Sequence, residues 1–241
     1  MWPHSHKSHQ IDLWDLTSQN LIRQIRVDNS QINAIAFSPD SQSLAWSGER
    51  TVQILYIDDE TTSRQLVGYT GGVEGSGFYE GGQLVDREII NDIVFSPDGK
   101  LLAAGTGLAL QGDCYSQWTV DHTVRIWRVD DRQRLHVFTE PQFGVEAVAF
   151  SPDGSLLAGV GGTHESYLGN TNSDWLWCSG EQDAIVRLWD VESGQLVREM
   201  ASHKTLITGV AFSPDGAWLI TSGTDGTMKR WANPNKTQSR R

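Results

Sequence analysis

Residues 203–231 read HKTLITGVAFSPDGAWLITSGTDGTMKRW. Ile207 to Phe212 is rich in strand-forming residues and runs into Ser213-Pro214-Asp215-Gly216, where Pro fixes φ at the second position of a turn and Gly closes it. Trp218 to Ser222 reads as the returning strand, Thr224-Asp225-Gly226 as a second turn, and Thr227 to Trp231 as a third strand. The stretch is therefore a small antiparallel meander. Three strands cannot bury both faces of their own sheet, so such a unit needs neighbours.

The neighbours are present in the same chain. FSPD recurs at Phe37, Phe95, Phe150 and Phe212, at uneven intervals of 58, 55 and 62 residues. Third-strand signatures supply a second landmark: IDLWD ending at Asp15, TVQILY from Thr51, TVRIW from Thr123, IVRLWD from Ile185 and TMKRW from Thr227. From Trp14, Leu55, Trp127 and Trp189 to the next FSPD phenylalanine the distances are 23, 40, 23 and 23 residues; from that phenylalanine to the following landmark they are 18, 32, 39 and 19. The undecorated unit is thus about 42 residues, the length of a four-stranded propeller blade.

These motifs resemble the WD-repeat family of β-propellers, over nearly the whole chain from about Gln10 to Trp231. Trp14-Asp15 and Trp189-Asp190 keep the eponymous dipeptide, Trp127-Arg128 and Trp231-Ala232 keep half of it, and Leu55-Tyr56 has lost it. The resemblance implies an all-β fold, a β-propeller of four-stranded antiparallel blades with four recognisable blades plus an incomplete one. It also implies a non-catalytic platform for protein or peptide binding. Within a blade the family carries a structural hydrogen-bond chain from a His through a Ser or Thr and an Asp to the third-strand Trp; here it maps onto His203, Ser222, Asp225 and Trp231. A His-Ser-Asp set also invites a hydrolase reading, but the spacing is that of the structural network and no nucleophile elbow surrounds the serine.

In chain order, residues 1–9 read as a frayed polar tail, residues 10–231 as blades and residues 232–241 as a second tail. His4, His6 and His9 have no acidic or Cys companion, so no metal site is expected there. Gln10–Asp15 and Leu21–Val27 are a third and a fourth strand without the first two. An unpaired edge at Gln10–Asp15 points to missing upstream blades or to self-association. The last unit ends without a fourth strand, and rings of this family commonly close by lending one from the N-terminus. Leu21–Val27 is the available candidate.

The surplus residues fall at about 68–86, 106–121 and 161–183: one connection between blades and two between second and third strands. Both kinds leave the same end of an up-and-down meander, so all three decorate one face. They carry Tyr69, Phe78, Tyr79, Tyr115, Trp118, Tyr167, Trp175 and Trp177 among Gly, Ser and Asn. Large rigid rings among adaptable polar residues are what contact surfaces favour, and these eight are the candidate partner-binding residues. The competing reading is that they fold back as small local cores.

A formal net charge of −11 and a pI near 5.0 argue against nucleic acid or an anionic membrane as partner. Cys114 and Cys178 are the only cysteines and lack metal-ligand spacing. Their scarcity suits a reducing compartment, and with no apolar leader the chain reads as cytoplasmic. No cofactor is expected. The Gly pairs in the insertions lack the Lys and helix of a phosphate cradle. The leading reading is a protein-binding scaffold; the alternatives are a sensor or regulatory segment of a larger signalling or NTPase protein and, last, a metal-dependent propeller enzyme.

Overall fold

The computed structural model describes residues 9–27, 32–48, 51–58, 63–66, 78–80, 83–85, 88–108, 122–141, 144–162, 167–168, 176–177, 184–201, 203–233 and 236. Among them every regular element is a strand. The chain begins with a hairpin, β1 (His9–Trp14) and β2 (Leu21–Val27). Blade 1 follows as β3 (Ala34–Phe37), β4 (Ser43–Ser47), β5 (Val52–Tyr56) and β6 (Ser63–Leu66). After a second hairpin, β7 (Phe78–Glu80) and β8 (Gln83–Val85), blade 2 comprises β9 (Glu88–Phe95), β10 (Leu101–Leu108), β11 (Val124–Arg128) and β12 (Arg134–Phe138). Blade 3 is β13 (Val145–Phe150), β14 (Leu156–Gly161), β17 (Ile185–Asp190) and β18 (Leu196–Ala201), interrupted by the short hairpin β15 (Tyr167–Leu168) and β16 (Leu176–Trp177). Blade 4 is β19 (Ile207–Phe212), β20 (Trp218–Gly223) and β21 (Met228–Ala232). Blades 1, 2 and 3 are four-stranded antiparallel meanders, and blade 4 is three-stranded.

The SPD sequence makes the turn between the first and second strands for a local reason. In each blade the Ser hydroxyl donates to the Asp carboxylate two residues on: Ser38 to Asp40 (2.5 Å), Ser96 to Asp98 (2.7 Å), Ser151 to Asp153 (2.6 Å) and Ser213 to Asp215 (2.5 Å). The same Ser oxygen accepts the N–H that opens the second strand, from Ser43, Leu101, Leu156 and Trp218. The fourth turn position is left-handed, at Gly99, Gly154 and Gly216 with φ of 72°, 74° and 67°. In blade 1 Ser41 must adopt it instead, at φ 60°. The hydrogen bonds from Ser hold Asp40, Asp98, Asp153 and Asp215 below the usual carboxylate pKa range.

The core is a series of joints between blades. Blades 1 and 2 meet through Val52, Ile54 and Leu66 against Ile93, Phe95 and Trp127. Blades 2 and 3 meet through Val124, Ile126 and Phe138 against Val148, Phe150 and Trp189. Blades 3 and 4 meet through Ala158, Val186 and Leu188 against Ile207, Leu219 and Trp231. The third-strand Trp is therefore a wedge aimed at the preceding blade. Trp127 and Trp189 are fully buried, and the Trp189 ring stacks on Phe138 with centroids 4.7 Å apart. Burying such a ring contributes about 1.5–3 kcal/mol.

One expectation needs correcting. Leu21–Val27 does not complete the last blade: β2 pairs with β1, and Ile25 and Val27 pack with Trp46 and Leu55 on blade 1. The apolar side chains of β2 are satisfied at the near end of the arc, which leaves the edge of β21 without a fourth strand among the described residues. Two described residues beyond β21 are held against blade 4. Asn233 is buried, its amide donates to the Gly216 carbonyl at 2.7 Å, and the Lys236 ammonium donates to the Asp215 carbonyl at 2.7 Å. Both residues clamp the turn of blade 4.

Candidate binding face

The meander topology fixes where the connections go. Those from first to second strand and from third to fourth lie at one end of each sheet; those from second to third, and from blade to blade, lie at the other. The segments joining β6 to β9, β10 to β11 and β14 to β17 therefore share one face. Two of them contain hairpins where the sequence suggested loops. Phe78 and Tyr79 lie on β7, in register with Val85 and Leu84 of β8. Tyr167 of β15 pairs with Trp177 of β16. Tyr69, Tyr115, Trp118 and Trp175 lie outside the described residues, as do Cys114 and Cys178.

The bases of these segments are tightly held. Thr106 donates both its N–H and its hydroxyl to the Thr123 carbonyl at 3.0 Å, and the Thr123 N–H returns to the Thr106 hydroxyl at 3.0 Å. That pair closes the foot of the second insertion. At the third, Gly162 N–H donates to the Gly144 carbonyl, and a Cβ on Gly161 would stand 1.8 Å from that same oxygen. Beside them, the Asn91 amide donates to the Val145 carbonyl at 3.0 Å, and Asp92 accepts the Val148 N–H at 2.9 Å. Burial pushes the Asp92 carboxyl up from its ordinary pKa.

The structural chain of blade 4 forms with one substitution. His203 Nδ1 faces both Asp225 oxygens at 3.2 Å, and its Nε2 lies 2.9 Å from the Thr221 hydroxyl, which also accepts the Trp231 indole N–H at 3.2 Å. Thr221, not Ser222, is the member. Alternation along β20 puts Thr221 on the inner face with Leu219, and turns Ser222 toward Gly209 on the other face. With Nδ1 donating to a carboxylate, Nε2 is left to accept, so the Thr221 hydroxyl donates to it. Hydrogen bonds from Thr227, then from the Lys204 N–H and His203, hold Asp225 far below the usual carboxylate pKa. Blade 3 has Gly159 at the position of Thr221, and a Cβ there would stand 2.7 Å from the Trp189 ring; the Trp189 indole donates instead to Glu140 at 3.3 Å. The set sits inside a blade joint, and it satisfies polar groups rather than presenting a nucleophile.

Sequence reasoning did not find a groove on the opposite face. It lies between blades 2 and 3, has a volume of about 600 Å³, and its lining includes Leu101, Leu135 and Val191 together with His136, Asp190 and Glu192. Only the joining of two blades creates it, so no local motif announces it. Among the described residues no group of three or more His, Cys, Asp or Glu is placed to hold a metal ion.

Comparison with known proteins agrees with this architecture. The WD domain, G-beta repeat family matches residues 82–128, 132–165 and 194–232. The Protein LST8 homolog of Drosophila melanogaster is 24% identical over 92% of this chain and 72% of its own length. The nuclear distribution protein nudF of Aspergillus niger is 24% identical over 92% of this chain and 44% of its own. Transcription initiation factor TFIID subunit 5 of Caenorhabditis elegans is 27% identical over 50% of this chain and 16% of its own. A chain of Kuenenia stuttgartiensis hydrazine synthase superposes with a TM-score of 0.59 at 18% identity, over 89% of this chain and 49% of that one; at that identity the likeness concerns the fold alone. With its blades, its turns and its third-strand tryptophans in phase, this chain belongs to the WD-repeat family of β-propellers.

Proposed function

We propose that the chain is a non-catalytic scaffold that binds a protein or peptide partner through the face bearing the three insertions. The observation that carries this reading is topological: every connection much longer than a turn leaves the same end of the sheets, from three consecutive blades. Functional residues concentrate on loops held by a rigid frame. Two of these connections add hairpins bearing Phe78, Tyr79, Tyr167 and Trp177 to that end. Tyr69, Tyr115, Trp118 and Trp175 belong with them by sequence. No cofactor enters this reading, which places the protein in the cytoplasm. Replacing Trp118, Trp175 and Trp177 together by Ser is expected to leave the circular dichroism and Tm unchanged and to abolish capture of the partner that the wild-type chain retains. Retained capture would falsify the assignment of the face.

A second reading, a regulatory segment of a larger signalling or NTPase protein, is favoured by the match to only 44% of nudF and 16% of the TFIID subunit. It predicts that the captured partner is another region of the same polypeptide.

A further inference from the structure

The SPD turns share the face opposite the insertions, and the charges around them differ from blade to blade. In blade 2 the turn is followed by Lys100, and β11 ends on Arg128. Each is ion-paired with an acid of its own blade, Lys100 with Asp98 at 3.5 Å and Arg128 with Asp131 at 2.6 Å. Blade 3 has Ser155 and Asp190 at the same two places, beside Leu156 as the others stand beside Leu101. Its acids are therefore met by hydroxyls: Asp153 by Ser151 and Ser155, and Asp190 by Ser193. Those bonds hold both carboxyls below their usual pKa range, so they are ionised at neutral pH; Lys236 and His136, from the blades on either side, add less. With the exposed Glu192, blade 3 thus lines the groove between blades 2 and 3 with three carboxylates.

The rest of that lining is apolar, with Leu101 and Leu135 from blade 2 and Val191 from blade 3. The two sides are locked together. Gly194 has φ of 69°, and a Cβ there would collide with the His136 ring, so the blade 2 imidazole is seated against the blade 3 turn. A volume of about 600 Å³ lies within the range of roughly 300–1,000 Å³ found for sites that take drug-sized groups. The next joint along shows what such a turn accepts. There the Lys236 ammonium donates to the Asp215 carbonyl at 2.7 Å, and its Cε lies 3.3 Å from where a Cβ on Gly216 would stand. Gly154 holds the same turn position in the groove, and among the described residues only Pro97 comes within 4 Å of its Cβ position.

We infer that this groove binds an extended, lysine-bearing segment of a partner protein, with the ammonium among Asp153, Asp190 and Glu192 and an aliphatic neighbour on Leu101, Leu135 and Val191. A lysine suits both parts of the lining, because its stem lies on apolar surface while its head reaches the carboxylates. The inference goes beyond the proposed binding of a partner by the insertions. It concerns the opposite face and does not depend on what the insertions bind.

The test titrates the full chain, labelled at its Leu and Val methyl groups, with the blocked peptide acetyl-Ser-Leu-Lys-Leu-Ser-amide and follows the NMR signals. The methyls of Leu101, Leu135 and Val191 are expected to shift and to saturate near about 1 mM peptide. Glu192→Lys, at an exposed position, is expected to weaken binding about fivefold by turning an attractive contact repulsive. The same variant should gain affinity for the peptide with Glu in place of Lys. Asp12→Lys makes the same change of net charge on the β1–β2 hairpin and should leave binding unaltered. Methyl signals that do not move overturn the inference. So does an equal loss in Asp12→Lys, which would reduce the binding to the overall charge of −11. Spermidine that shifts the same methyls as strongly as the peptide would make a free polyamine the occupant. Without peptide, replacing Arg240 and Arg241 together by Gln is expected to leave those methyls in place; a shift would make the chain's own C-terminal segment the occupant and overturn the inference as well.

Discussion

Thr221→Val tests the structural chain of blade 4 and the face of β20 that carries it. Valine keeps the shape and removes one hydroxyl. That hydroxyl donates to His203 Nε2 and accepts the Trp231 indole N–H. The His203 side chain has no solvent exposure, so its orphaned acceptor costs the full desolvation penalty, about 1–3 kcal/mol. Trp231 is only half-buried, and its N–H can turn partly to water, at a cost below that range. The sum is roughly 2 kcal/mol, equivalent to about a 30-fold rise in the opening constant of the blade. Stacked repeats open locally, so a global melting curve would blur the effect. Hydrogen exchange of the β20 and β21 amides reads it directly. Thr221→Ser, which keeps the hydroxyl, should lose only about 1 kcal/mol for the missing methyl. Ser222→Ala, on the other face, should stay within about 0.5 kcal/mol of wild type. A Ser222→Ala loss equal to that of Thr221→Val would refute the placement of the network.

Ser41→Gly should stabilise blade 1 by roughly 0.5–1 kcal/mol, because relief of a left-handed Ser outweighs the entropy that Gly adds to the unfolded chain; a rise in the urea midpoint with unchanged m-value checks it. Two carboxyls should give opposite slopes of stability against acid pH. Asp225 has a lowered folded pKa, so its contribution is present above its ordinary value near 4 and is lost as pH falls below it; Asp92 has a raised one, so its contribution is complete below that value and is lost as pH rises through the folded pKa. Hydrogen exchange between pH 3 and 6, corrected for intrinsic rates, should show the signs reversed between Asp225→Asn and Asp92→Asn relative to wild type; equal signs contradict the assignment.

The blades were legible because their signals are local. An SPD turn and a third-strand Trp lie within one unit, and Val145–Phe150 and Ile207–Phe212 begin and end where the residue pattern places them. Thr221 was missed because two hydroxyl residues stand side by side and only strand parity separates them. Leu219 lies opposite Trp231, so the residue two places on from Leu219 shares that Trp's face. The hairpin β7–β8 does carry a signal in the sequence: Gly81-Gly82 between FYE and QLV matches the residue pattern of a two-residue hairpin loop. β15–β16 has no such mark, since a seven-residue connection joins its strands. The fate of β2 was beyond local reading. It depended on whether Ile25 and Val27 found apolar partners nearer than blade 4, and Trp46 and Leu55 provide them.

The distribution of joints also bears on where a partner would be engaged. In a stacked array each unit is held by its own strands and by contacts with its neighbours. Blades 2 and 3 are covered on both faces, whereas blade 4 and the β1–β2 hairpin are covered on one. The insertions leave from the junction of blades 1 and 2, from blade 2 and from blade 3, at feet clamped by the Thr106–Thr123 bonds and by the Gly161–Gly144 contact. The plain blade 4 carries the most complete WD-repeat motif and no insertion. Decoration therefore sits on blades packed from both sides, a frame whose own ordering would add nothing to the cost of the binding proposed above. The uncovered ends have the opposite character. Among the described residues Ile35 and Phe37 stay exposed at one end, and β21 has no fourth strand beside it at the other. The proposed loop recognition therefore falls on the part of the frame that is packed from both sides.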